Sequence, residues 1–138
     1  MFKLLPFSEV SRVVQQSIPL QTSIPALLST YRQSPFTIQD ILSEWKGDGS
    51  ILLAQQNSSL LGLLRVDKRR TYWEVSSFIV DPQYRGLGIG SRMLNTLDIP
   101  IYLKVRQENE HAIQLYKKHQ FAIQTYCEGR YIMKNNVY

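Results

Sequence analysis

From residue 80 to residue 94 the chain reads Val-Asp-Pro-Gln-Tyr-Arg-Gly-Leu-Gly-Ile-Gly-Ser-Arg-Met-Leu. Three alternate glycines, Gly86, Gly88 and Gly90, separate an aromatic and β-branched run, Tyr72 to Val80, from a helix-forming run that reaches Leu97. Asp81-Pro82 stops the strand, because proline lacks an amide and restricts the residue before it. Glycines admit dihedrals closed to other residues and let a ligand approach the backbone. The first amides of the helix that follows lack partners within it and sit at the positive end of its dipole. Strand, glycine turn and helix start in that order make an anion site suited to phosphate groups. Arg85 adds a fixed positive charge. Two common phosphate loops do not fit. The dinucleotide fingerprint needs G-x-G-x-x-G, and a Walker A loop needs Gly-Lys-Ser/Thr where the chain has Gly90-Ser91-Arg92. A glycine turn with no ligand is the plain alternative.

The rest of the chain frames this turn. In the N-terminal third, Ser8 is placed to cap a short helix carrying Val10, Val13 and Val14. Pro19, Pro25 and Pro35 divide the next stretch into short pieces. Thr37 opens a better helix, with Ile38, Ile41, Leu42 and Trp45 on one face and Gly47 at its end. From Gly49 the pattern turns to strands at 50–55 and 60–66, with a hairpin at Asn57-Ser58-Ser59. After a basic turn at Lys68-Arg69-Arg70 comes a third strand, 72–80. A short helix over 88–97, a strand at 101–106, a helix from Asn109 to Lys118 and closing strands at 121–127 and 130–134 complete the plan. The expected fold is α+β, a single domain over 1–138 with a central, mostly antiparallel twisted sheet flanked by helices and one parallel crossover after the glycine turn. Residues 1–48 form its helical part, 49–106 the sheet core with the turn, and 107–138 the last helix and strands. Because Pro100 follows closely, the 88–97 helix covers its sheet face incompletely.

The Val80 to Gly90 segment resembles the acetyl-CoA signature of the GNAT superfamily of N-acetyltransferases, Arg/Gln-x-x-Gly-x-Gly/Ala, with Arg85, Gly88 and Gly90 in the defining places. The resemblance implies that the backbone of Arg85, Gly86, Leu87, Gly88, Ile89 and Gly90, with Ser91, binds the pyrophosphate of acetyl-CoA. It also implies that Val80 pairs through its backbone with the pantetheine arm. A second stretch, Asn109-Glu110-His111-Ala112-Ile113-Gln114-Leu115-Tyr116, followed by Gln120-Phe121, is similar to that family's Asn-x-x-Ala-x-x-Leu-Tyr and Gly-Phe. Positions 109, 112, 113 and 116 share a helical face. The family roles carried over are a cofactor contact for Asn109 and, for Tyr116, protonation of the leaving thiolate. Gln120 departs from the family glycine that ends this helix in a left-handed conformation. The resemblance spans residues 50 to 134.

Acetyl transfer to an amine needs a proton acceptor, stabilisation of an oxyanion and protection of the leaving thiolate. Glu74, eleven positions before Arg85, stands where histone-acetylating members of the family carry a glutamate base. Its plain alternative is a salt bridge to a neighbouring cation. Strand alternation puts Ser76 and Phe78 on its face. His111 falls off the 109–112–116 face and reads as an exposed helix residue. His119 lies at the helix end, where the dipole favours a cation, and Cys127 reads as a buried strand residue. The acceptor amine is expected between the N-terminal helices and strands 121–134, with Phe36, Trp45 and Trp73 as pocket or core residues. A non-catalytic acyl-CoA sensor on the same fold is the rival reading. A nucleic-acid binder, prompted by the net charge of +5, lacks a basic stripe. The cluster at Arg65, Lys68, Arg69 and Arg70 reads as a solvated turn. No metal is expected. No apolar run reaches the ~20 residues of a membrane span. The N-terminus, broken by Pro6, does not read as a signal peptide, and a lone cysteine fits a cytoplasmic chain, monomeric or homodimeric.

Overall fold

The computed structural model describes residues 2–30, 37–45 and 47–135. Its centre is an antiparallel meander of β2 (Gly49–Gln56), β3 (Ser59–Lys68) and β4 (Trp73–Val80). Ile51–Ala54 and Leu60–Leu64 are buried throughout and read apolar without alternation, as strands covered on both faces do. β1 (Phe2–Pro6) adds an antiparallel edge to β2, a strand the sequence reading did not include. On the other side β5 (Ile101–Arg106) runs parallel to β4, β7 (Arg130–Asn135) antiparallel to β5, and β6 (Phe121–Cys127) closes the far edge. The seven strands take the order β1-β2-β3-β4-β5-β7-β6, with β4–β5 as the parallel pair. This is the mixed, mostly antiparallel α+β plan expected.

The N-terminal third departs from expectation. Helix α1 (Phe7–Gln15) follows β1 directly with Pro6 at its N-cap, so Ser8 lies inside the helix and caps nothing. Pro19 and Pro25 do not divide the chain, because α2 runs unbroken from Ile18 to Ser29. Ser17 caps it by accepting the Leu20 amide at 3.3 Å, and Pro19 sits in the first turn, where a missing amide costs nothing. Pro25 does forfeit a helical bond, but Leu20, Ile24, Leu27 and Leu28 are buried on the same helix, and that burial decides the outcome. α3 (Ile38–Glu44) begins as expected, with a reciprocal capping box between Thr37 and Asp40. Pro35 and Phe36 lie outside the described residues.

Helices α1 to α3 pack one face of β1 to β4, burying Val10, Ile24, Ile41 and Trp45 against Ile51, Leu53, Leu63 and Ile79. α4 (Ile89–Thr96) and α5 (Glu110–Lys118) cover the opposite face, where Met93, Leu94 and Ile113 meet Leu52, Leu64, Leu103 and Met133. Trp73 packs at the margin of this second core. No helix among the described residues is long and apolar enough to cross a membrane.

A β-bulge in β4 corrects one expectation about faces. Arg65 pairs with Ser77 and Val66 with Val75, which leaves Ser76 as an extra residue. Glu74, opposite Asp67, therefore shares the α1–α3 face with Ile79, opposite Leu63. Phe78 and Val80, opposite Leu64 and Gly62, turn to the α4–α5 face. Simple alternation puts Phe78 with Glu74, and the bulge separates them. Cys127 is also corrected: it is exposed, because β6 is an edge strand buried only at Phe121.

Candidate functional site

β4 and β5 part company early. They pair at Trp73–Ile101 and Glu74–Tyr102, and beyond that point β4 keeps only its partner β3. The gap is a cavity of about 590 Å³. Phe78, Val80, Ala112, Leu115 and Tyr116 line it from the α4–α5 side, while Ile79 and Thr30, at the end of α2, line it from the other. The gap is thus a slot through the sheet.

The glycine turn forms its mouth. The Asp81 carboxylate accepts the Gln83 amide at 2.9 Å and the Asp81 carbonyl accepts the Tyr84 amide at 2.8 Å, closing one 3-10 turn at Pro82–Tyr84. Gly86 and Gly88 then take φ of 80° and 79°, and Gly88 is the N-cap of α4. A Cβ on Gly88 would meet nothing within 4 Å, so left-handed backbone is what calls for glycine there. A Cβ on Gly90 would lie 3.3 Å from Phe78 Cζ, so this glycine lets α4 approach β4 closely. Among the described residues no group accepts a hydrogen bond from the amides of Gly86 through Ser91. Six donors at the positive end of a helix are left for an anion. The Arg85 guanidinium donates from Nε to the Val80 carbonyl at 3.3 Å, which fixes that charge beside the turn.

Asn109 caps α5, its side-chain oxygen accepting the Ala112 amide at 3.3 Å. The Tyr116 ring is wedged between Phe78 and Phe121, with centroids 6.2 and 5.8 Å away. The structure brings together Val80, Arg85, Gly86, Gly88, Ile89, Gly90, Ser91, Asn109 and Tyr116 around the slot. Leu87 points elsewhere and is 68% exposed. Lys118, Tyr84 and Thr30 line the slot with no role expected from the sequence, and His111, exposed as expected, borders it too. A helical wheel removes His111 from the Asn109 face, but it sits in the first turn of α5 and still reaches the slot. Nothing local in the sequence marks Thr30, which arrives through the packing of α2.

Glu74 is not in the slot. It lines a separate cavity of about 290 Å³ with Tyr72, Tyr102 and Lys104. Arg69 binds it, Nε to Oε1, at 3.0 Å. That hydrogen bond is the main reason the Arg69 pKa is raised further. Arg69 also reaches Asp67 at 3.8 Å, and buried Asp67 holds Arg65 at 3.1 Å and the Ser76 hydroxyl. Arg65 and Arg69 are therefore tied into a network, whereas a solvated basic turn was expected. His119 also differs from expectation. Burial, aided by Lys118, lowers its pKa, so desolvation outweighs the helix dipole that would favour the cation.

Fold and slot define a class: a mixed sheet opened at its parallel pair, with a free-amide turn at the mouth of the opening. Residues 21–121 match the model of the acetyltransferase (GNAT) family, and the chain belongs to that family. Over 50 residues, 33% of the chain, it is 48% identical to an uncharacterized protein of Mycobacterium leprae (strain TN), and the match spans 14% of that protein's length. The fold is similar to Escherichia coli ElaA, with a TM-score of 0.72 and 21% identity over 99% of each chain. It is also similar to PaiA N-acetyltransferase from Thermoplasma acidophilum in complex with coenzyme A, with a TM-score of 0.61 and 16% identity over 98% of each chain.

Proposed function

We propose that this protein is an N-acetyltransferase that moves an acetyl group from acetyl-CoA directly to a primary amine. The observation that carries the reading is the row of unengaged amides from Gly86 to Ser91 at the mouth of a slot through the sheet. The fit is chemical. Donors on a helix N-terminus with Arg85 beside them suit a diphosphate. The free edge of β4 from Val75 to Ile79 suits an extended amide-bearing arm. Bound acetyl-CoA supplies an acyl thioester already activated for attack.

The chain's own residues do the rest. The turn amides and Arg85 hold the anionic end, and Asn109 steadies the arm at the start of α5. Tyr116 donates its hydroxyl proton to the departing sulfur. Glu74, on the opposite face, draws in the ammonium form of the acceptor and takes its proton, exchanging Arg69 for the amine. Holding both reactants in line supplies much of the acceleration.

One observation favours a second reading, a non-catalytic acyl-CoA sensor: Glu74 is already bound to Arg69 and lies outside the slot. Thermal denaturation followed by an amine panel separates the two. Acetyl-CoA at a hundredfold excess over its Kd adds ~2.7 kcal/mol to the folded state, a rise on the order of 10 °C for a domain of this size. The Gly88→Val variant is expected to lose that rise. No rise in the parent protein removes both readings, and a rise without thiol release across the panel leaves the sensor.

A further inference from the structure

Resting on the acetyltransferase reading, we infer that the acceptor amine is carried by an acidic polypeptide, which docks on the face of β5 and β7 that none of the described helices covers. Helices α1 to α3 bury β1 to β4 on that side, and no residue of β5, β6 or β7 joins their core. Leu103, Val105 and Met133 face the opposite core. The register then places Tyr102 opposite Lys134, Lys104 opposite Ile132, and Arg106 opposite Arg130 on the other side, away from that core.

The charge on this face is one-sided. β5, β6 and β7 together carry Lys104, Arg106, Arg130 and Lys134 and no Asp or Glu. Acidic residues near it stand in the flanking turns, at Glu108 and Glu128. Arg106 and Arg130 are exposed and directly opposed across the strand pair, an arrangement that costs stability. Among the described residues neither has an ion pair. A cost with no internal return points to an external anion.

One carboxylate borders these cations. Glu74 pairs in register with Tyr102 and lines the cavity that Lys104 shares. A site with one carboxylate followed by a row of cations complements an ammonium followed by a row of carboxylates. Lys104 and Arg106 are alternate strand residues, about 6.6 Å apart, which is the spacing of same-side residues in an extended peptide. A polyamine would meet repulsion along the row. A nucleic acid would meet Glu74 and brings no alkyl amine.

The test compares three amine-bearing peptides, identical except that Glu, Gln or Lys fills the positions after the amine, with release of free thiol as the readout. The Glu peptide is expected to show kcat/KM at least tenfold above the others, falling as salt rises from roughly 0.05 to 0.5 M. Arg106→Glu and Arg130→Glu are expected to raise its KM about tenfold, the ~1.4 kcal/mol of two rim charges, while the acetyl-CoA melting rise stays intact. Equal rates for the three peptides, or a preference for the Lys peptide, with the melting rise intact, overturns the inference and leaves the acetyltransferase reading standing. So does a short DNA strand that competes better than the Glu peptide. Loss of the melting rise in the parent protein fails the acetyltransferase reading itself, and this inference with it.

Discussion

Gln120 holds a φ of 68° where the helix α5 ends and β6 begins. A side chain in the left-handed region costs ~1–2 kcal/mol through crowding of Cβ against the following carbonyl. Replacing Gln120 by glycine removes that cost. The glycine also makes the unfolded chain looser, which returns ~0.4–1 kcal/mol. The Gln120 side chain is exposed, so little packing is lost. The net gain is about 0.5–1 kcal/mol, which for a chain of 138 residues raises the melting temperature by roughly 2–5 °C. Thermal and urea melts of Gln120→Gly and Gln120→Ala check it together. Alanine keeps the Cβ and is expected to melt with the parent. The reasoning is refuted if the glycine variant melts no higher than the parent, or if alanine gains as much as glycine.

Tyr116→Phe keeps the ring packed against Phe78 and Phe121, so the acetyl-CoA melting rise is expected to survive while kcat falls about 10²-fold; unchanged turnover removes the proton-donor role. Glu74→Gln is expected to abolish the acidic limb of the pH–rate profile, and an unaltered profile discards Glu74 as the base. His119, whose folded pKa is lowered from 6.5, binds protons less readily folded than unfolded. Its contribution to stability is complete above about pH 6.5 and is lost as pH falls through the lower folded value. Melts taken from about pH 7 down to 5 are expected to show a flatter slope for His119→Gln than for the parent.

Much of the fold from Gly49 onward was legible because strands and helices there carry their own periods. The strand from Ile101 and the helix opened by Asn109 appear where local chemistry puts them, as does the earlier helix opened by Thr37. β1 was not legible: five residues ending in proline give no alternation, and the strand exists because β2 offers it an edge. Nor was α2, where tertiary burial of Ile24 and Leu28 overrides the signal of Pro25. In the site, the glycine turn announced itself, since its unengaged amides lie along one contiguous stretch of backbone. The slot did not, because the parting of β4 from β5 is a relation between residues more than twenty positions apart. The bulge at Ser76 likewise arises from pairing with β3 and carries no mark of its own.

Because the backbone pairing between the two halves of the sheet, among the described residues, is confined to Trp73–Ile101 and Glu74–Tyr102, the sheet resembles a book bound at one end of its spine. Whatever fills the opening also supplies missing rungs between the covers. Backbone amides of β5 and β7 are therefore expected to exchange with solvent faster than those of β2 and β3 when the opening is empty, and to slow together once it is filled. Binding and cohesion of the fold would then be one event.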